Sequence, residues 1–490
     1  MNKILSRKKV KFDRSLDYFR DRLDENWIWG IDSDRCRSIV ERRSEQLQHK
    51  IKRTSHLKVL ISESDPAHFL GSFIAATSSN CSVFLANPNW VECEWQQVLD
   101  LIHPDVVWGR EVSKNSIDRS NSSYEVKNCY GSTIAIATGG TSGNIRFALH
   151  TWETLITSVV GFIEYFQIET INSCCTLPLY HVSGLMQFLR SLITGGKLWL
   201  LPSKKLELAA DRVFPATTSQ WFISLVPTQL QRILQNPELT QWLSKFQTVL
   251  LGGAPAWTEL LELAREKRIR LAPTYGMTET ASQVATLKPD DFLAGNNSCG
   301  RVLPHAKIKI KSPISTHPHT TGIIHIQTPS LAFGYYPQLP ENTQPVGLKN
   351  KRGEMMTDDV GFFDDRGYLY IVGRCSDKII TGGENVFPAE VESAIRASEL
   401  VADICAIGIP HKIWGQAVVA VYVPHNSNVT ADRLSRTLGQ KLAKFKHPKH
   451  WIAVESLPRN DRGKVNRSAV LEIVRSRLPV DPEKTAKAKV

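Results

Sequence analysis

The feature that most constrains this chain is the alternation of short apolar runs with amphipathic ones through its first half. Lys58-Val59-Leu60-Ile61 is strand-like, and residues 66–77 read as a helix. Residues 82–86 read as the next strand, 90–102 as an amphipathic helix and 105–108 as a strand again. Parallel strands can be joined only by a long crossover, so this rhythm predicts a parallel sheet covered by helices. It recurs at Trp199-Leu200-Leu201 and Thr248-Val249-Leu250-Leu251. Before it, residues 1–53 read as a charged helical cap, and 111–129 as a polar surface loop. After Gly295 the period changes. Lys307-Ile308-Lys309-Ile310 and residues 322–326 alternate every second residue, which predicts strands with one wet face in a small β-rich subdomain. A last unit begins near Gly373, with a helix at 388–398, strands at 402–407 and 417–423, and a basic helix around 434–443.

A chain of 490 residues suits a large domain joined to a smaller one, or three mid-sized ones. No apolar run approaches the roughly 20 residues of a membrane helix. The start, Met1-Asn2-Lys3-Ile4-Leu5-Ser6-Arg7, is basic without an apolar core, so no secretory signal is expected. The net charge is +12, and residues 433–490 hold 15 Lys and Arg against 5 Asp and Glu. No zinc-finger or RNA-binding sequence pattern accompanies that excess. A small polyanion such as a nucleotide or coenzyme is therefore the expected partner, and not a nucleic acid. The nine cysteines are irregularly spaced without a CxxC pair, which predicts reduced thiols, no metal cluster and a cytoplasmic location.

Five segments carry chemistry. Ala137-Thr138-Gly139-Gly140-Thr141-Ser142-Gly143-Asn144-Ile145-Arg146 follows an apolar strand, and its glycines, hydroxyls and free N–H groups suit phosphate oxygens. Asn144 stands where a Walker loop needs glycine, so this is not a Walker loop. Thr274-Tyr275-Gly276-Met277-Thr278-Glu279-Thr280 reads as a loop after a strand at 269–271, with Glu279 able to hold Mg²⁺ and Thr278 a phosphate. A turn and a capped helix start would use the same residues. In Met356-Thr357-Asp358-Asp359-Val360-Gly361, Asp359 suits a ribose diol, while Asp364-Asp365-Arg366-Gly367 reads as a hairpin turn. The segment 376–388 combines a charged turn, an apolar strand, Gly382-Gly383 and a helix start at Pro388. In the segment 458–467, Lys464 on a glycine turn can bring a cation to an α-phosphate, or serve as a solvated basic turn.

In order and spacing these five segments resemble the adenylate-forming acyl-CoA ligase superfamily. The resemblance implies an α/β fold: a large N-terminal domain of parallel-type sheets with helices and a small β-rich subdomain, plus a small mobile α+β C-terminal lid. The expected bounds are 1–374 and 375–490. It implies ATP and Mg²⁺ as cofactors, CoA as co-substrate, a small carboxylic acid as substrate, no membrane span, and an assembly that includes the homodimer. By position, Thr138, Gly139, Gly140, Thr141, Ser142 and Gly143 form the phosphate loop. Thr278 meets the α-phosphate, Glu279 holds Mg²⁺, Asp359 and Arg374 take the ribose, and Lys464 is the adenylation lysine. Thr274, Tyr275 and Gly276 line the nucleotide, Gly253 and Ala254 lie beside adenine and acyl group, and Ser376 and Asp377 are the hinge. The pattern is departed from in two places: Ile145-Arg146 replaces Pro-Lys, and Asp358 replaces glycine.

Within the superfamily, Leu177-Pro178-Leu179-Tyr180-His181-Val182-Ser183-Gly184, residues 250–255 and residues 380–390 are similar to the o-succinylbenzoate–CoA ligase branch of menaquinone and phylloquinone synthesis. That implies 2-succinylbenzoate as the acid and His181 as a residue closing the acyl pocket. A packed, structural His181 is the alternative. Arg190 and Lys197 are candidates for the second carboxylate or are surface charges. Ligases for another aryl or fatty acid, an amino-acid adenylation domain, and a non-catalytic nucleotide-binding protein remain open. A cation reaching the acyl pocket favours the dicarboxylate; an apolar tunnel favours a fatty acid.

Lys464→Ala is expected to slow acyl-adenylate formation about a hundredfold or more while ATP still binds. Pyrophosphate release and ATP calorimetry on the one variant check both halves.

Overall fold

The computed structural model describes residues 19, 21–23, 25–52, 56–79, 81–111, 133–139, 145–201, 220–312, 319–337, 348–350, 352–381, 384–411, 413–438, 442–460 and 463–478. The expected loop at 111–129, apart from Glu111, and all residues before 19 lie outside them. The chain divides into two compact units. The first comprises 1–253, 267–309 and 325–356, and the second 254–266, 310–324 and 357–490.

The first unit holds two sheets. In one, the strands run in the order Gly334–Tyr336, Ile145–His150, Ile134–Gly139, Ser82–Leu85, Lys58–Ile61, Val106–Trp108. The last four are mutually parallel. Ile145–His150 and Gly334–Tyr336 are added antiparallel at the other edge. Ser82–Leu85 is buried at every position, as a parallel strand covered on both faces must be. The helix Pro66–Ser78 starts where the sequence says it should: Asp65 accepts from His68 N–H, and Pro66 needs no donor in the first turn.

The second sheet orders Ile28–Trp29, Leu198–Leu200, Asn172–Cys175, Trp221–Leu225, Thr248–Leu251, Leu271–Met277, Ser282–Thr286 and Arg301–Val302. Its last two strands run antiparallel. Phe19, Trp27, Phe73 and Phe188 meet in an aromatic cluster, with ring centroids 6.0 to 6.4 Å apart. Trp152 packs edge-on to Phe73 and Trp221 against Trp29, so both are core residues.

A third sheet, ordered Lys307–Lys311, Gly322–Gln327, Met355–Phe363, Leu369–Arg374, is the expected β-rich region. Only Lys307–Lys311 has the wet face that alternation predicts. Gly322–Gln327 lies inside the sheet and is largely buried. Asp364 accepts from the N–H groups of Arg366 and Tyr368, and Gly367 takes φ +77°, which makes the expected hairpin turn.

In the second unit, Val401–His411 and Gly415–Pro424 form a long antiparallel pair, joined by Ile379–Thr381, Glu384–Val386 and His450–Ala453. The pair is longer than its apolar core, because its polar ends continue the ladder. The basic helix begins at Ala431, three residues earlier than expected, and is described to Leu438; residues 439–441 of the expected span lie outside the described residues. Thr430 accepts from Arg433 N–H and starts it, and Lys444–Lys446 is a separate 3₁₀ turn. The described cysteines are free thiols. No helix among the described residues is long and apolar enough to cross a membrane.

Phe188→Ala empties the centre of the aromatic cluster and is expected to cost about 3 to 5 kcal/mol. A lower urea midpoint at unchanged slope is the result that checks it.

Candidate active site

The hairpin Ile134–Gly139 and Ile145–His150 frames the expected phosphate loop. Its register pairs Thr138 with Arg146 and Gly139 with Ile145. Thr138 and Gly139 are therefore strand residues, whereas Gly140, Thr141, Ser142 and Gly143 lie outside the described residues. Arg146 also sits in the strand. Side chains alternate across a strand, so Arg146, Ala148 and His150 share one face. Tyr335 is registered opposite Ala148 and belongs to that face too.

The segment around Thr278 differs from the loop expected after residues 269–271. Leu271–Met277 is one continuous strand, so Thr274, Tyr275 and Gly276 lie within it. The strand continues because Ser282–Thr286 folds back beside it, with a bulge at Tyr275/Gly276. A side chain at Gly276 would meet Ser282 O at 2.1 Å, so the bulge needs glycine. Thr274 Oγ1 donates to Leu251 O at 3.1 Å, over Gly252, and ties this strand to the end of its neighbour; Gly253 and Ala254, which follow, are exposed.

Between the two strands, Thr278–Thr280 makes a single 3₁₀ turn. Its carbonyls are each held by a different group. His150 Nε2 donates to Thr278 O at 2.8 Å, and Ala332 N–H to Glu279 O at 2.8 Å. Ser330 Oγ donates to Thr280 O at 3.0 Å, and Ser158 Oγ to Ala281 O at 2.7 Å. The Tyr335 hydroxyl donates to Glu279 Oε1 at 2.8 Å. Burial pushes the His150 imidazole down to about 4, so it is the neutral ring that donates to Thr278. Burial, then the Glu279 carboxylate, hold the Tyr335 phenol well above its ordinary value. One carboxylate at the end of a rigid turn suits Mg²⁺, which keeps few protein ligands and is carried by nucleotide phosphates. No group of three or more His, Cys, Asp or Glu gathers anywhere among the described residues.

His181 is buried and begins the helix Val182–Thr194, its ring edge-on to Tyr180 at 4.5 Å. Gly184 lies over Pro178 O, where a Cβ would come within 2.2 Å, so the strand end and the helix start pack backbone to backbone. The same helix buries Arg190 to 3% exposure. Its guanidinium donates to Ser282 Oγ at 3.0 Å and Gln283 Oε1 at 2.8 Å and lies over the Phe162 ring. Burial pushes it down to about 9, with no acidic partner among the described residues to offset that. Lys197 is exposed, 5.1 Å over the Trp29 ring. Of the two cations the sequence leaves as candidates, Arg190 is interior and Lys197 is on the surface.

In the second unit, Asp359 and Arg374 are registered opposite each other, with Arg374 Nε donating to Asp359 Oδ1 at 3.2 Å. Asp359 is 9% exposed, and its N–H donates to Thr357 Oγ1. Asp358 points the other way and accepts from Ser376 N–H at 3.1 Å and from the Ser376 hydroxyl. Where the resemblance leads one to expect glycine, this chain thus has a side chain that grips Ser376, the residue expected at the hinge. Asp377 pairs with Arg467 at 3.6 Å. Lys464 sits on a tight turn, its N–H donating to Asn460 Oδ1 and its carbonyl accepting from Asn460 N–H, with Gly463 at φ +72°. His150, Tyr335 and Asp358 were missed by sequence reasoning; the one signal was that Asp358 broke the expected pattern.

Residues 132–336 match the AMP-binding enzyme family, and residues 390–464 match the AMP-binding enzyme C-terminal domain. The chain is 32% identical over 341 residues to a 2-succinylbenzoate–CoA ligase of a Geobacillus species, covering 69% of this chain and 68% of that one. Among solved structures it is similar to o-succinylbenzoate CoA synthetase from Bacillus subtilis in complex with its acyl-adenylate intermediate. The TM-score is 0.74 at 26% identity, covering 90% of this chain and 93% of that one. The same Bacillus subtilis enzyme with ATP and magnesium ion gives 0.72 at 26% identity, covering 88% and 93%.

The lowered His150 carries a pH prediction. An imidazole protonates near 6.5 when unfolded and near 4 in the fold, so its contribution is complete above 6.5 and is lost as pH falls toward 4. His150→Gln should therefore lose less stability than the parent between pH 7 and 4.5, by about 2 to 3 kcal/mol. Urea denaturation of both proteins at the two pH values measures the difference.

Proposed function

This chain belongs to the AMP-binding enzyme family, and from that premise we propose that it is an AMP-forming acid–CoA ligase whose acid is 2-succinylbenzoate. In the first half-reaction a carboxylate oxygen of the acid attacks the α-phosphorus of ATP and pyrophosphate leaves. In the second, the CoA sulfur attacks the acyl carbon and AMP leaves. Mg²⁺ bound with the nucleotide supplies neutralising charge at the phosphates. The buried turn presents Glu279 to that ion and Thr278 to the α-phosphate, without the cost of ordering them at the moment of reaction. Lys464 supplies a point cation for charge developing at phosphorus. Asp359 accepts from the ribose hydroxyls, and Arg374 holds its carboxylate in place through the Nε–Oδ1 bond.

The observation that carries the choice of acid is Arg190. A guanidinium buried without an acidic partner costs stability, and such a cost is ordinarily met by pairing. A second carboxylate on the substrate would provide the missing partner. It would arrive on the helix that His181 opens, where His181 closes the acyl pocket. A fatty acid or benzoate offers nothing to that cation. The named relatives support the same acid. The product belongs to quinone synthesis, and the reaction to the cytoplasm. We place the domain boundary at 374/375; the two family matches fall on either side of it.

Pyrophosphate release with a panel of o-succinylbenzoate, benzoate, a medium-chain fatty acid and amino acids tests this reading. Turnover confined to o-succinylbenzoate and completed by CoA is expected, and preference for a monocarboxylate refutes the acid. Arg190→Leu is expected to raise KM for o-succinylbenzoate tenfold to about a hundredfold while leaving that for ATP unchanged.

A further inference from the structure

We propose that Tyr335 is a positioning residue for the metal-binding carboxylate: its hydroxyl fixes Glu279 in the orientation that receives the cation of MgATP. The inference rests on Glu279 as the metal ligand. It adds a residue from outside the five sequence segments, on a strand separated from Glu279 by more than fifty positions.

The geometry is specific. Segment 332–335 grips Glu279 twice. Ala332 N–H holds its carbonyl at 2.8 Å, and the Tyr335 hydroxyl holds Oε1 at 2.8 Å. With both ends of the residue fixed, the carboxylate has one orientation. Among the described residues Oε2 has no hydrogen bond, so one oxygen is used for holding and the other is left for a ligand. Tyr335 itself is anchored, because its strand is paired to Ile145–His150 and its registered partner is Ala148. Two residues from Ala148 on that strand face, in opposite directions, lie His150, which holds Thr278, and Arg146. A carboxylate that binds a metal needs such an outer partner, and removing it typically costs 10- to 100-fold in metal affinity or activity. Phenylalanine keeps the ring and its packing, so Tyr335→Phe isolates the hydroxyl.

The test is calorimetric and needs no turnover. The full-length parent, Tyr335→Phe and Glu279→Gln are each titrated with ATP, in excess Mg²⁺ and in EDTA, with no acid present. The ratio of the two affinities measures what the protein gains from the metal. Tyr335→Phe is expected to lower the MgATP affinity about tenfold or more, to leave the metal-free affinity and Tm unchanged, and to follow Glu279→Gln in direction. If Glu279→Gln loses the metal-dependent gain and Tyr335→Phe keeps it, the role of Tyr335 is overturned and the ligase reading stands. If both keep it, Glu279 is not the metal ligand and the inference falls with that assignment. If Tyr335→Phe loses metal-free ATP affinity or Tm equally, its role is structural and the inference is overturned.

Discussion

The first unit depends on how the turn at Thr278–Ala281 is held. A 3₁₀ turn of three residues leaves carbonyls without partners in its own helix, and buried carbonyls without partners are costly. Here strand Ile145–His150, helix Trp152–Phe166 and the segment around Ser330 and Ala332 each supply a donor. The turn is thus the point where the two sheets of this unit are joined by hydrogen bonds. It is also where Thr278 and Glu279 are presented. The packing of the unit and the chemistry proposed for Thr278 and Glu279 thus fall on one short segment.

Arg190 shows the opposite arrangement. Its contacts are neutral, a serine, a glutamine and an aromatic face, so the protein leaves a cation undercompensated in its interior. The aromatic cluster on the same helix, built on Phe188, offers ample apolar burial against that cost. One helix is thus core on one side and carries a cation with neutral contacts on another, and its own packing offsets the cost.

Much of the fold was legible. The first parallel strands and the helices between them follow from apolar runs, an aspartate cap and a proline at a helix start. The site was legible only as far as its segments are contiguous. Thr278, Glu279, Asp359 and Lys464 come from local patterns, and Arg374 from the family resemblance. His150, Tyr335 and Ser330 were not legible, because what they hold lies about 50 to 130 positions away in the chain. The loop expected at Thr274 failed for the same reason: a strand ends where its partner ends, and the partner is set by a later segment.

Asp358 and Arg146 mark where local pattern ends and tertiary structure takes over. Both stand out in the sequence as departures. Only the fold turns Asp358 toward Ser376 and puts Arg146 in a paired strand on the face of Tyr335. The sequence by itself determined the chemistry available: a glycine-rich segment of hydroxyls suited to phosphate, a carboxylate beside hydroxyls, an acidic residue suited to a diol and a lysine on a glycine turn. Those depend on residue type and short spacing, which the covalent chain sets. The tertiary structure alone decided which carboxylate oxygen is held, which arginine is buried and which face each strand presents, because strand register and burial arise between segments that the chain keeps far apart.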